Sequence, residues 1–300
     1  MSGRCLGEAG LSQRSRNRMR RTFAALPWEM LGPRMVMITL TLPSDWRRYT
    51  PDGRASERQR RLFVDRFEYR WGPMVGVWVK EFQKRGAPHL HFWVGLPDSV
   101  AEGDYEGLRA RSELRRRIAR EAGTARARAA VGRIGGRYGG DFGDWLRLKW
   151  AEIVTGNTDG SHFNRGVDVE PCFWTEDAIG KADLGVVQEY FWRESVKKAQ
   201  KAPPQGYGAV GRYWGVIGQR QGFRPEALRV VELDQDRAAV AELVLARVAR
   251  SRLGGVDHCW LDERRLGDGL TVFVPNAAQL FGLVMAEVDA PSPEYLRSPV

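Results

Sequence analysis

Between Val75 and Val94 the sequence runs VGVWVKEF, then QKRGAP, then HLHFWV. The two outer stretches are dense in β-branched and aromatic residues, and Gly86 and Pro88 punctuate the link, so the segment predicts a β-hairpin. That commits the chain to an antiparallel strand pair. A turn centred on Arg85 sets Glu81 opposite His89, and the two-residue period of a strand puts His89, His91 and Glu81 on one face. Two imidazoles and a carboxylate, with room left for water or substrate, suit a divalent cation: Mn2+ in kind, and Mg2+ less well because it prefers oxygen. The same residues also fit buried histidines satisfied by hydrogen bonds beside a solvated glutamate.

Around this hairpin the pattern predicts further elements. Met35 to Leu42 (MVMITLTL) alternates like a strand and stops at Pro43. Ser56 and Gln59 form an S-x-x-Q capping box ahead of a helix that presents Leu62, Phe63 and Phe67 on one face. The Val100–Gly143 region, rich in Arg, Ala and Gly, has the look of an insertion with a helix through Leu108, Leu114 and Ile118. Asp144 to Ile153 predicts a helix, Gly166 to Glu170 a short strand, and Asp183 caps a helix running to about Lys201. Beyond Gly218, Asp236 caps an Ala/Leu/Val-rich helix, Thr271 to Val274 forms a strand, and Asn276 caps a last helix. The order predicts an α+β domain: a central, largely antiparallel sheet with flanking helices, followed by an α/β extension at residues 219–300.

The 300 residues carry 47 Lys and Arg against 37 Asp and Glu, a net charge of +10. The last 82 residues hold 10 basic and 12 acidic side chains, so the excess lies in the part ending at Gly218. Arginines crowd a basic arm at residues 1–34 (Arg14, Arg16, Arg18, Arg20, Arg21) and recur at Arg115, Arg116, Arg117, Arg120, Arg126 and Arg128. Such a balance favours a polyanion partner, since arginine forks match phosphate oxygens and each neutralised phosphate releases counterions. No run approaches the length of a membrane span and no apolar h-region follows the first arginines, so the expectation is a soluble protein of the cytoplasm. Three cysteines without metal-binding spacing agree with a reducing compartment.

The stretch Ala182 to Lys201 supplies a second reactive set. On a helix Leu184, Val187, Phe191 and Ser195 share a packing face, and Tyr190, Glu194, Lys197 and Lys201 form a neighbouring stripe. A phenol can attack phosphorus, an ammonium can bind phosphate, and a carboxylate can accept a proton. An ordinary helix with a Glu194/Lys197 pair and a half-buried tyrosine has the same pattern.

Together these motifs resemble the HUH endonucleases, in particular the rolling-circle replication initiator (Rep) proteins of bacterial plasmids and phages. MITLTLP (Met37 to Pro43) is similar to the first family motif and EFQKRGAPHLHFWV (Glu81 to Val94) to the second. Tyr190 to Lys197, trailed by Gln200, Lys201, a proline, Tyr207 and GRYWG (Gly211 to Gly215), is similar to the third. The resemblance covers about Arg14 to Gly218 and implies a nicking-joining domain at residues 35–218 with an RRM-like sheet. It implies Glu81, His89 and His91 as ligands of Mg2+ or Mn2+, Tyr190 as nucleophile and Lys197 as the motif lysine. Thr39, Thr41, Arg85 and Lys201 are the candidates for DNA contact. Histidines before tyrosine is the Rep order and disfavours relaxases.

Where two-tyrosine members carry a second tyrosine this chain has Glu194, which leaves one nucleophile. Glu194 is then either a base for hydrolytic termination or a solvent-facing partner of Lys197 or Lys198. The implied activity is nicking of single-stranded or cruciform origin DNA to give a 5′-phosphotyrosine and a 3′-OH, with a host helicase and polymerase acting next. A single-strand transposase of the same superfamily and a non-catalytic nucleic-acid-binding protein with an RRM-like sheet are the rival readings. Trp46, Trp78 and Trp93 are candidates for base stacking, although core packing is the commoner use of tryptophan.

Overall fold

Strand β1, Met35–Thr41, lies near the middle of a five-stranded sheet in the computed structural model, with β2 (Val75–Phe82), β3 (Pro88–Gly95), β4 (Val167–Pro171) and β5 (Trp214–Ile217). The spatial order is β4-β1-β3-β2-β5 and every pairing is antiparallel. The helices are α1 (Gln13–Ala24), α2 (Gly53–Trp71), α3 (Glu102–Ala122), α4 (Gly140–Thr155), α5 (Gln235–Arg252) and α6 (Ala277–Asp289). The structure describes residues 11–123, 140–156, 165–172, 202–225, 233–252 and 277–290. The fold class is thus α+β, an antiparallel sheet with flanking helices.

One face of the sheet is apolar. Val36, Ile38 and Leu40 of β1, Leu90, Phe92 and Val94 of β3, and Trp78 and Phe82 of β2 form one core with Phe63, Phe67 and Trp71 of α2 and Phe142, Leu146 and Trp150 of α4. The Phe63 ring meets Phe92 at 5.4 Å and stands edge-on to Trp150 at 6.0 Å. The helix-side residues alternate in sequence with those of the other face, as the pleat requires.

Several boundaries differ from the sequence pattern. Helix α2 is capped by Asp52, whose carboxylate accepts from the Ala55 amide at 2.8 Å. Ser56 and Gln59 therefore lie within the first turns, and the Gln59 oxygen accepts instead from the Thr50 hydroxyl. Helix α5 likewise starts one residue before Asp236, and Asp234 accepts from the Arg237 amide. In the Val100–Gly143 region, Tyr105 and Leu108 of α3 belong to the core and α3 flanks β4.

Residues 12–31 of the basic arm pack on the first unit. Met19 and Phe23, one helical turn apart on α1, are buried, as are Trp28 and Leu31 in the 3-10 turn that follows. The expected strand at Thr271 to Val274 and the helix from Asp183 to about Lys201 lie outside the described residues.

The described residues divide into two compact units, one comprising those up to residue 225 and the other those from residue 233 on. The first extends past Gly218 because Phe223 is buried and packs edge-on against Trp28 at 6.0 Å. In the second, Ala241 and Val244 of α5 pack with Val284 and Val288 of α6, and Arg237 pairs with Asp289 at 3.0 Å.

Candidate metal centre on the polar face of the sheet

The register sets Glu81 opposite His89 across β2 and β3, as the hairpin pattern requires. On the other side of β3, Thr41 stands opposite His89 and Thr39 opposite His91. Parity then gathers Thr39, Thr41, His89, His91 and Glu81 on the face away from α2 and α4. The two imidazoles are edge-on, 4.5 Å apart at 85°. Glu81 Oε2 lies 3.7 Å from His91 Nε2, and both residues are buried, at 6% and 7% exposure.

Each imidazole has a hydroxyl behind it. Thr39 Oγ1 is 3.1 Å from His91 Nδ1 and Thr41 Oγ1 is 3.1 Å from His89 Nδ1. A metal-binding imidazole is usually held this way, through the ring nitrogen that does not face the ion. Burial, with the neighbouring His91 as a second cause, pushes His89 down to about 3, so its ring is neutral at physiological pH, the form that ligates a metal. As the side chains stand, no group of three or more His, Cys, Asp and Glu among the described residues is arranged to hold an ion. The donor set itself, two neutral imidazoles beside a carboxylate, is chemically suited to a divalent cation.

The turn that joins β2 to β3 is braced from behind. Gly86, at φ +80°, closes it with its amide on the Gln83 carbonyl at 2.7 Å, a backbone conformation that L side chains rarely adopt. Arg85 donates to the carbonyls of Leu42 and Pro43 and, through Nε, to Gln83 Oε1 at 2.8 Å. Its guanidinium therefore clamps the end of β1 to the hairpin turn. Thr39 and Thr41, grouped with Arg85 as DNA contacts, have their hydroxyls on the imidazoles. Lys201, the fourth of that group, lies outside the described residues, as do Tyr190, Glu194 and Lys197.

The same face carries charges that the sequence reading did not single out. Asp168 of β4 pairs with Thr39, and Glu170 with Met37, so both carboxylates belong to it. Asp168 accepts from Arg111 and Arg115 of α3, each at 3.2 Å, and Glu170 accepts from Ser112 at 2.8 Å and from Arg115. At the opposite edge Trp214 of β5 pairs with Val79, which puts it on this face too. Helix α1 covers it: Phe23 meets the indole edge-on at 5.5 Å, Trp214 Nε1 donates to Ser15 Oγ at 3.2 Å, and the Arg18 guanidinium lies 5.6 Å over the ring. Two arginine-bearing helices thus flank the histidine pair, and Arg14, Arg18, Arg21, Arg117 and Arg120 on them are exposed.

Trp46, Trp78 and Trp93 are all buried, so none presents a free ring for stacking. Trp46 packs on Tyr207, and Trp78 lies under the Arg60 guanidinium. Among the described residues no helix is long and apolar enough to cross a membrane. No family model, curated protein or solved structure matches the chain.

Proposed function

We propose that the chain is an HUH-type replication initiator that nicks and rejoins origin DNA through Tyr190, with Glu81, His89 and His91 holding Mg2+ or Mn2+. The observation that carries this reading is the pair of imidazoles on a central strand, His91 buried and His89 half-buried, each backed at Nδ1 by a threonine hydroxyl, with a carboxylate beside them from the next strand. The strand order adds support. The chain leaves β4 at one edge of the sheet and re-enters at β5 on the other, and the stretch bearing Tyr190, Glu194 and Lys197 lies between the two in sequence.

A cation held by these residues would polarise a non-bridging oxygen of the scissile phosphate and stabilise the charge that builds on phosphorus. The chain's own groups do the rest. The Tyr190 oxygen attacks phosphorus in line, the bond to the 3′ oxygen breaks, and that oxygen leaves as a hydroxyl once protonated. Lys197 is the cation that orients the phosphate or lowers the phenol's pKa. The ester to tyrosine keeps the phosphodiester energy, so strands rejoin by the reverse step, and the free 3′-OH primes a polymerase. The partners are single-stranded or cruciform origin DNA, followed by the helicase and polymerase of a bacterial host, in its cytoplasm.

The test is a single-stranded oligonucleotide library, labelled at the 3′ end and incubated with Mn2+. Label shifted to the mass of a protein adduct, and absent from Tyr190→Phe while that variant still binds DNA, is the expected result. An adduct persisting in Tyr190→Phe removes Tyr190 from the role. Binding without any cleavage favours the non-catalytic reading, and transfer of the 5′ end to a second oligonucleotide without origin preference favours a single-strand transposase.

A further inference from the structure

Two side chains stand behind the His89 ring. His91 Nδ1 faces the Thr39 hydroxyl, which can donate or accept. His89 Nδ1 faces the Thr41 hydroxyl and, in addition, the Gln83 side-chain nitrogen at 3.3 Å. The Gln83 amide has a defined orientation. Its oxygen takes the Arg85 Nε–H, and Arg85 is itself fixed on the carbonyls of Leu42 and Pro43. The other end of the amide, NH2, therefore points at His89, and an amide nitrogen can only donate.

From this we infer that Gln83 holds the neutral His89 ring in the tautomer with its proton on Nε2, and so sets how readily the site takes up a metal. A nitrogen that accepts a hydrogen bond carries no proton, so donation from Gln83 to Nδ1 puts the ring proton on Nε2. Loading a cation at Nε2 then requires that proton to move to Nδ1. The hydroxyl of Thr41 permits the move by turning from donor to acceptor, whereas the amide of Gln83 opposes it. Gln83 is in this sense a positioning residue: it acts on the metal through His89. The inference rests on the metal reading of the preceding section for its consequence, but not for the tautomer itself.

Two variants separate the parts. Gln83→Glu replaces the donor with a carboxylate that accepts from Nδ1–H, and Gln83→Leu removes the donor with little change in size. Two-bond 15N–1H correlation spectra of the metal-free protein, with histidine labelled, read the tautomer directly. The expected result is an Nε2–H ring for His89 in the natural protein and an Nδ1–H ring in Gln83→Glu. Mn2+ titration followed by the loss of its free EPR signal should then show tighter binding, by about tenfold in Gln83→Glu and less in Gln83→Leu, as for other groups behind metal-binding imidazoles. An Nδ1–H ring in the metal-free natural protein overturns the inference, and so does Mn2+ binding that is equal in all three proteins. If neither variant nor the natural protein binds Mn2+, the metal reading falls and the effect on uptake falls with it, while the spectra still decide the tautomer.

Discussion

On the helix side of the sheet, Ile38, Phe92 and Trp78 share one core with rings from α2 and α4, and a buried cation there, Lys80, is tied down by a backbone carbonyl. On the other side, the residues that alternate with them include two threonines, two histidines, a glutamate and two further carboxylates, beside the buried Met35, Val77, Val79 and Trp93. Strands β1, β2 and β3 contribute to both, and β4 adds Asp168 and Glu170 to the second. The apolar face gains from area removed from water, which is insensitive to the exact angle of a ring. The polar cluster around the imidazoles gains little of that and depends on which nitrogen faces which hydroxyl. A substitution should therefore cost stability on one face and chemistry on the other.

The largest expected effect breaks or upholds that contrast directly. Phe63 is fully buried between Phe92 and Trp150. Phe63→Ala should lose about 3–5 kcal/mol of unfolding free energy by removing the ring and leaving a cavity. His91→Ala, measured by the same urea titration, should lose clearly less while abolishing Mn2+ uptake. Equal losses at the two positions would mean that the polar face is as much a core as the other.

The contrast also decides what could be read from the sequence. Glu81 opposite His89 was legible because a five-residue link, residues 83–87, fixes a local register. The partnership of Thr39 and Thr41 with the imidazoles was not, since β1 and β3 pair across some fifty residues of chain and nothing local sets that alignment. A signal did exist: two threonines and two histidines, each pair two residues apart, match any antiparallel register that puts them side by side. Helix α1 was hidden by its arginines, which dilute the Met19–Phe23 spacing. Strand β5 was hidden because its four residues form an edge strand whose partner β2 lies far away in sequence. The S-x-x-Q motif misled because a better acceptor, Asp52, stands one turn earlier.

Lys80 offers an intermediate effect. It is 1% exposed, its Nζ donates to the Val210 carbonyl at 2.5 Å, and its backbone amide donates to Tyr213, so it fastens the segment ahead of β5 to the apolar side. That segment comes close enough to α2 that a Cβ on Gly53 would meet the Ala209 oxygen at 2.0 Å. The groups facing the ammonium are Glu57 and Arg60 of α2 and the Tyr213 ring. Burial pushes Lys80 down to about 8, with Arg60 adding to the shift and Glu57 opposing it. Between about 8 and its usual value of 10.5 the unfolded chain binds the extra proton, so stability rises with pH in that window. Relative to Lys80→Met, the natural protein should gain on the order of 3 kcal/mol from pH 7.5 to 10.5. Parallel pH profiles for the two proteins would show that the ammonium is not desolvated.

The smallest effect on stability is expected at Arg18, on the polar side. Its guanidinium lies over Trp214 from an exposed position on α1, and an exposed cation–π contact contributes about 0.5–1 kcal/mol. Arg18→Ala should thus leave the urea midpoint nearly unchanged. If this face receives a nucleic-acid backbone, the same change should weaken binding of a single-stranded oligonucleotide uniformly across sequences and reduce the salt slope by about one phosphate contact. The paired measurement is decisive because the two readouts move in opposite senses on the two faces: Phe63→Ala changes the midpoint and leaves the salt slope of the folded protein alone. An unchanged slope in Arg18→Ala would take α1 out of the binding surface. The arginine would then serve only to cover Trp214, and the basic excess of the first unit would have to act through α3.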